Sequence, residues 1–278
     1  MAGQILGDRY QVEKQLGKKS GRWTLLAQDL SDDRPVILKL ISIDDDLHPD
    51  MLRLFEREIN ILRSLDHPDL PQYLDYFEID LPKDQKALVL VQSYIEGVST
   101  DKYLQGGRTF TETETRQVAK AILKILSYLH NHNPVVIHRD IKPSNILLAQ
   151  TAPVSGGPGT RVCLVDFGSV QAIATKKLTA TTILTLVGNE DYMAPEQLGG
   201  RAVKASDLYS LGVTLLTLQT GLTPDKLPHQ DSRLNIETVD GLTPAFTQWL
   251  QQMTEPNIEL RFRSSQNALD ALRTIPTA

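Results

Sequence analysis

Four polar side chains lie in two short loops, and each loop is flanked by apolar residues that can fix it to a core. Asp140, Lys142 and Asn145 share the first loop, and Asp166 begins the second, in which Gly168 frees the backbone. Carboxylate and amide oxygens are the ligands that Mg²⁺ prefers. A carboxylate can also take the proton of an attacking hydroxyl, and a lysine can offset charge on a transferred phosphoryl group. These residue types and spacings therefore suit phosphoryl transfer from a metal-bound triphosphate.

Three motifs extend this pattern over the second half of the chain. Residues 138–145 read H-R-D-I-K-P-S-N, residues 166–168 read D-F-G, and residues 194–196 read A-P-E. In order and spacing they resemble the eukaryotic-type protein kinases, in the version found in bacteria. The resemblance runs from about Tyr10 to Leu272, which is nearly the whole chain.

The resemblance assigns roles to the residues of the two loops. Asp140 would be the catalytic carboxylate, and Asn145 and Asp166 would bind Mg²⁺, for which Mn²⁺ can substitute. Lys142 is typical of the serine/threonine members of the family. We therefore expect an ATP-dependent kinase that phosphorylates serine or threonine hydroxyls of protein substrates.

A lysine and a glutamate in the first third of the chain complete the expected catalytic set. Lys39 ends the segment P-V-I-L-K, where the family has V-A-I-K, and would contact the α- and β-phosphates. Its partner would be a glutamate of the following helix. The resemblance selects Glu58 on the inward edge, whereas Glu56 is expected to be solvated.

The nucleotide itself would contact the glycine-rich loop, the adenine slot and the segment that joins the two lobes. The residues that the resemblance assigns to ATP, besides Lys39, are Leu16, Gly17, Lys18, Lys19, Ser20, Gly21, Thr24, Ile37, Tyr94, Ile95 and Leu147.

Four positions depart from the family pattern. Lys19 and Arg22 stand where the second and third loop glycines are expected, and Ile37 replaces an alanine of the adenine slot. Asn189 follows Gly188 where a threonine is usual. These changes favour an alternative, a pseudokinase or scaffold that binds nucleotide weakly. A small-molecule kinase is a further alternative, but such enzymes typically lack the A-P-E segment.

Other residues of the pattern would stabilise the site without reacting. Asp207 would brace the backbone of the catalytic loop, and Arg261 would pair with Glu196. His138 and Phe167 would pack in the apolar interior.

The segment from Asp166 to Glu196 would regulate activity. It contains Thr181, Thr182 and Thr185, which we expect to be phosphorylated, and Arg139 is a guanidinium that could bind the added phosphate. Autophosphorylation through a transient dimer would supply that modification.

The elements that must position these residues indicate an α+β, bilobal kinase fold for residues 1–278. The N-lobe, about residues 1–94, is expected to be an antiparallel sheet with one helix. A hinge at about residues 93–97 leads to a mainly helical C-lobe, about residues 98–278.

Apolar runs and periodicity locate the individual elements. Strands are predicted at 10–16, 22–29, 36–41, 70–79 and 86–94, and helices at 49–65, 111–130, 207–220, 244–253 and 264–272. The Pro- and Gly-rich stretch Ala152–Thr160 is expected to be a poorly ordered hairpin tip.

Composition excludes several other classes. The net charge is −5 without a basic block, which argues against nucleic acid as a partner. The single cysteine, Cys163, excludes an internal disulfide, fits a reducing cytoplasm and is expected in a buried strand. No signal peptide or membrane-spanning segment is visible, so a cytoplasmic protein is expected.

Overall fold

The structure is a computed structural model that describes residues 2–19, 21–43, 47–81, 85–151, 159–173, 190–231 and 233–276. These residues form two compact units, Met1–Glu96 and Gly97–Ala278, called here the N-terminal and C-terminal units.

The N-terminal unit is built on one antiparallel sheet and one helix. Its strands are β1 (Ile5–Leu6), β2 (Tyr10–Lys19), β3 (Arg22–Asp29), β4 (Arg34–Ile43), β5 (Tyr73–Leu81) and β6 (Gln85–Ser93), and its helix is α1 (Pro49–Ser64). The strands lie in the order β1-β2-β3-β4-β6-β5. Strands that are neighbours in sequence therefore pair with each other, with one exception. Strands β4 and β5 do not pair, because β6 lies between them.

The two faces of this sheet carry different side chains because successive residues of a strand point to opposite sides. In β4, Val36, Leu38 and Leu40 belong to an apolar cluster that also contains residues of β2, β3 and β6. Lys39 is on the other face, where it meets α1. The alternation in β4 is therefore what places a lysine opposite the apolar core.

Helix α1 follows directly from its sequence. His48 caps the N-terminus by accepting a hydrogen bond from the backbone N–H of Asp50. Pro49 occupies the first turn, where a backbone N–H would have no acceptor within the helix, so its missing N–H costs nothing. Its apolar residues recur at three- and four-residue steps, and the buried face that they form also contains Glu58.

The C-terminal unit is mainly helical. Its helices are α2 (Thr100–Gln105), α3 (Glu112–Asn131), α4 (Pro195–Leu198), α5 (Lys204–Thr220), α6 (Pro244–Met253) and α7 (Ser265–Thr274). Its strands are β7 (Val98–Ser99), β8 (Val135–Ile137), β9 (Ile146–Thr151), β10 (Gly159–Leu164), β11 (Gln171–Ile173), β12 (His229–Gln230) and β13 (Arg233–Leu234). Single 3-10 turns occur at Pro143–Asn145, Glu190–Tyr192, Pro224–Lys226 and Ile236–Thr238.

Helix α5 runs through the interior of this unit and is buried along most of its length. Gly212 allows the close packing, since a Cβ atom there would lie 2.6 Å from Cγ2 of Thr254. Helix α3 packs against both α5 and α7. Its N-terminus carries a capping box, in which Thr111 and Glu114 each accept a hydrogen bond from the other's backbone N–H.

Two strand pairings hold the polar loops of the C-terminal unit together. The first loop runs from the end of β8 to the start of β9, and the second runs from the end of β10 to the start of β11. The start of the first loop lies beside the end of the second, because β8 pairs with β11. The end of the first loop lies beside the start of the second, because β9 pairs with β10. This topology brings distant sequence segments side by side.

The architecture confirms the predicted α+β class, with an antiparallel sheet and one helix followed by a mainly helical part. The strand expected from residue 70 begins at Tyr73, and the helix expected from Asp207 begins at Lys204. Cys163 is buried in β10, as predicted. Residues 152–158, most of the expected hairpin tip, lie outside the described residues.

Within the described ranges, no helix has the length and apolar character required to span a bilayer.

Candidate active site

The loop between β8 and β9 gathers a carboxylate, an ammonium and an amide at one place. Nζ of Lys142 donates to both carboxylate oxygens of Asp140, at 2.9 and 2.8 Å. Nδ2 of Asn145 donates to Oδ2 of Asp140 at 3.0 Å and to its backbone oxygen at 2.8 Å. Asp140 is 8% exposed, so these contacts fix the orientation of a carboxylate that is largely screened from solvent.

The orientation of the Asn145 amide bears on metal binding. The amide nitrogen donates hydrogen bonds to two oxygens of Asp140. The amide oxygen Oδ1 therefore points away from Asp140 and can act as a metal ligand. The backbone oxygen of Asn145 accepts from the N–H of Val165, which directly precedes Asp166. One amide oxygen and one carboxylate thus come from adjoining segments, and both suit Mg²⁺.

Among the residues that the structure describes, no group of three or more His, Cys, Asp or Glu side chains is arranged to hold a metal ion by itself. The amide oxygen of Asn145 and the carboxylate of Asp166 fit Mg²⁺ that is held partly by phosphates and water. Mg²⁺ is usually bound through one or two carboxylates plus substrate phosphates.

Two residues of the loops adopt left-handed backbone conformations. Arg139 has φ of 69° and Asp166 has φ of 68°. For a residue with a side chain this conformation costs roughly 1–2 kcal/mol, so it requires support from the surrounding structure.

Asp207 of α5 supplies part of that support. Its carboxylate accepts hydrogen bonds from the backbone N–H groups of His138 and Arg139, at 2.9 and 2.8 Å, and lies 2.9 Å from Nε2 of His130. Burial by itself would raise the pKa of Asp207, but hydrogen bonds and charge from His130 and the loop outweigh it. The pKa lies below its ordinary value as a result.

Three further residues bind the loop backbone, and no sequence motif marks them. Oγ1 of Thr100 donates to the oxygen of Pro143 at 2.8 Å. The hydroxyl of Thr214 is shared between the oxygen of Ser210 in its own helix, at 2.7 Å, and the oxygen of Ile141 in the loop, at 3.1 Å. Nε2 of Gln197 donates to the oxygen of Arg139 at 2.9 Å. Their types are common in any helix, so only contact across the fold distinguishes them.

His138 and Phe167 pack against each other in the interior. Their rings meet edge to face, with centroids 5.0 Å apart. Burial lowers the pKa of His138 and favours the neutral imidazole. The contact links the two polar loops through an apolar pair.

In the N-terminal unit, the predicted lysine and glutamate meet. Nζ of Lys39 donates to Oε1 of Glu58 at 2.5 Å, and the two side chains are 13% and 3% exposed. Glu56, the alternative, is an exposed residue of the same helix.

The hairpin of β2 and β3 carries the predicted glycine-rich loop. Gly17 pairs with Thr24, Lys18 with Trp23 and Lys19 with Arg22. Gly21 directly precedes β3 and has φ of 70°, a conformation that favours glycine. The side chain of Lys18 lies over the Trp23 ring, with Nζ 5.4 Å from its centroid.

The remaining residues predicted to contact the nucleotide belong to both units. Thr24 is opposite Lys39 in the sheet, Ile37 is 8% exposed in β4, and Leu16 is a half-exposed residue at an irregularity in β2. Tyr94 and Ile95 follow β6 in the N-terminal unit. Leu147 is a partly buried residue of β9 in the C-terminal unit.

Arg261 binds Glu196 in the C-terminal unit. Nη1 and Nη2 of Arg261 donate to the two carboxylate oxygens at 2.8 and 3.2 Å, and the arginine side chain is fully buried. Burial by itself would raise the pKa of Glu196, but hydrogen bonds from Arg261 and Ser206 outweigh it, so the pKa is lowered.

Several predicted residues lie outside the described ranges. They are Ser20, Thr181, Thr182, Thr185 and Asn189. Arg139, the expected partner of a phosphorylated threonine, is a buried residue.

Comparison with known proteins gives a consistent result. A family model described as "Protein kinase domain" matches residues 10–275. Serine/threonine-protein kinase B of Synechocystis sp. is 36% identical over 98% of this chain and 47% of its own length. Serine/threonine-protein kinase PknA of Nostoc sp. is 30% identical over 97% of this chain and 48% of its length. Serine/threonine-protein kinase PrkC of Bacillus subtilis is 29% identical over 81% of this chain and 32% of its length.

The chain spans about half, or less, of the length of these curated relatives.

Proposed function

Because the chain belongs to the protein kinase domain family, we propose that it transfers the γ-phosphoryl group of ATP to serine or threonine hydroxyls of protein substrates. The observation that carries the proposal is the carboxylate of Asp140, held by Lys142 and Asn145 in a loop that α5 fixes. The names of the relatives support the same activity.

In this proposal each residue has a chemical task. Asp140 orients the substrate hydroxyl and accepts its proton, and Lys142 stabilises negative charge on the transferred group. Asn145 and Asp166 offer oxygen ligands to Mg²⁺, and Lys39, oriented by Glu58, contacts the phosphates. Mg·ATP supplies the phosphoryl group and neutralises charge. The protein contributes positioning and a fixed electrostatic environment.

The test combines nucleotide binding with transfer. Thermal shift with Mg·ATP should raise the melting temperature of the wild type, and labelled γ-phosphate should appear on a generic protein substrate. Asp140→Asn should retain the thermal shift but lose at least about 100-fold in transfer rate. Asp240→Asn, at an exposed position of the same unit, is the matched control and should transfer normally.

Regulation by phosphorylation of Thr181, Thr182 or Thr185 remains part of the proposal. Mass spectrometry should find phosphate on this segment in the wild type and none in Asp140→Asn. Binding without transfer in the wild type would instead support the pseudokinase alternative, and no response to Mg·ATP would contradict the proposed function.

A further inference from the structure

The β2–β3 hairpin is a positively charged segment in an acidic chain. Residues 14–22 read K-Q-L-G-K-K-S-G-R, with four cations and no carboxylate, whereas the whole chain has a net charge of −5. Two of the cations, Lys19 and Arg22, stand at positions where the family resemblance leads us to expect glycine.

Strand register assigns Arg22 to one face of the sheet. Thr24 of β3 is directly opposite Lys39 of β4. Arg22 is directly opposite Ile41, and this pair lies two residues further along the same two strands. Residues that face each other across a pair, and residues two apart in a strand, project from the same side. Arg22 therefore shares the sheet face of Lys39. It lies about 7 Å further along the strands and about 5 Å across from β4.

The hairpin tip is also fixed to β4. The ladder between β3 and β4 extends to the Arg22–Ile41 pair, and the backbone oxygen of Gly21 accepts from the N–H of Ser42 at 3.0 Å. Arg22 therefore starts from a hydrogen-bonded backbone position, and only its side-chain torsions remain to be ordered when it binds an anion.

Arg22 differs from other cations of the N-terminal unit in its contacts. Arg9 pairs with Asp29, Arg34 pairs with Asp32, and Lys18 lies over Trp23 on the opposite face of the hairpin. Arg22 is only partly exposed, and among the residues that the structure describes it has neither a carboxylate partner nor a ring partner. A partly buried guanidinium without such a partner is available to bind an external anion.

We propose that Arg22 binds the β- or γ-phosphate of the nucleotide whose phosphates Lys39 also contacts, an inference that rests on the proposed function. In glycine-rich loops, backbone N–H groups approach the phosphates because no side chain intervenes. An arginine at such a position gives up part of that approach but offers a guanidinium, which binds phosphate through two parallel hydrogen bonds. The altered hairpin is thus a phosphate-binding device of a different type and not a degenerate one.

The experiment measures the affinity of wild type, Arg22→Ala and Arg22→Lys for ATP, ADP and AMP by isothermal titration calorimetry with Mg²⁺. Arg22→Ala should weaken ATP binding about tenfold or more, the value of a charge-assisted hydrogen bond, and leave AMP binding within about twofold. Arg22→Lys should restore part of the loss. Arg34→Ala removes the same charge at the opposite end of the β3–β4 ladder and is the matched control, with ATP affinity within about twofold of wild type.

Three results would overturn the inference. Unchanged ATP affinity in Arg22→Ala, or an equal loss for ATP and AMP, would show that Arg22 does not contact a terminal phosphate while leaving the proposed function intact. Failure of the wild type to bind any of the nucleotides would overturn both. Circular dichroism of each variant verifies that the hairpin change has not unfolded the protein.

Discussion

Glu58 is a carboxylic acid in the buried face of α1, where a negative charge requires compensation from within the N-terminal unit. Lys39 provides a positive charge at 2.5 Å. The pair therefore stabilises the fold of the unit at the same time as it orients the lysine that we propose for phosphate binding. These two roles can be separated by measurement.

Lys39→Met should lower the free energy of unfolding by about 3 kcal/mol, because it leaves the buried carboxylate of Glu58 without its lysine. Urea unfolding measures the loss, and calorimetry with Mg·ATP measures the accompanying loss of binding. Lys86→Met breaks the exposed pair with Glu78 and should cost less than about 1 kcal/mol. A cost for Lys39→Met as small as that of the control would contradict the argument.

Residues of the candidate site differ in how well the sequence predicts them. Asp140, Asn145 and Asp166 could be identified because each belongs to a motif of fixed spacing. Thr100 and Thr214 could not, because a threonine in a helix has no distinctive local pattern. Their hydrogen bonds to the catalytic loop cross 43 and 73 residues of sequence.

At the scale of elements, the long helices were the most predictable part of the fold. Helix α3 was predicted because its apolar residues recur with the helical period over several turns, and its predicted face is buried. Strands β1 and β7 were not predicted, because each has only two residues and so shows no alternation. The pairing of β8 with β11 depends on contact between distant segments, which no local pattern encodes.

One side chain connects several elements of the C-terminal unit. All the guanidinium nitrogens of Arg261 donate hydrogen bonds, to Glu196 after the start of α4, to the backbone oxygen of Ala205 in α5, and to those of Glu255 and Pro256. The fork of an arginine, unlike the single ammonium of a lysine, can serve this many acceptors at fixed angles.

Glu196→Gln should destabilise the protein by about 2 kcal/mol at pH 7, since it removes the charge that the buried Arg261 binds. The effect should depend on pH in one direction. Because the pKa of Glu196 is lowered in the folded state, its contribution is present above the ordinary value of 4.5 and is lost as the pH falls through the folded-state pKa.

Urea unfolding at several pH values checks this prediction. The difference between wild type and Glu196→Gln should be largest at neutral pH and should shrink below pH 4.5. Glu237→Gln, at an exposed position of the same unit, is the control and should differ little from wild type at any pH. A difference that grows on acidification would contradict the assigned direction of the pKa shift.

At the scale of the whole molecule, each unit has its own core and contains a largely buried ion pair between segments distant in sequence. The N-terminal core includes the apolar cluster on one face of the sheet, and the C-terminal core surrounds α5. Lys39–Glu58 lies wholly within the first unit and Glu196–Arg261 wholly within the second. The chain has two tryptophans, and Trp23 and Trp249 also fall one in each unit.

Single-tryptophan proteins can therefore report on each unit separately. Trp249→Phe leaves Trp23 as the probe of the N-terminal unit, and Trp23→Phe leaves Trp249 for the C-terminal unit. We expect Lys39→Met to move the urea midpoint seen by Trp23 by about 1–3 M and that seen by Trp249 by much less, with the reverse for Glu196→Gln. The reason is that a domain with its own core can unfold separately from its neighbour. Each parent single-tryptophan protein is the reference for its own series. Equal shifts at both probes for both variants would show instead that the two units unfold as one cooperative body.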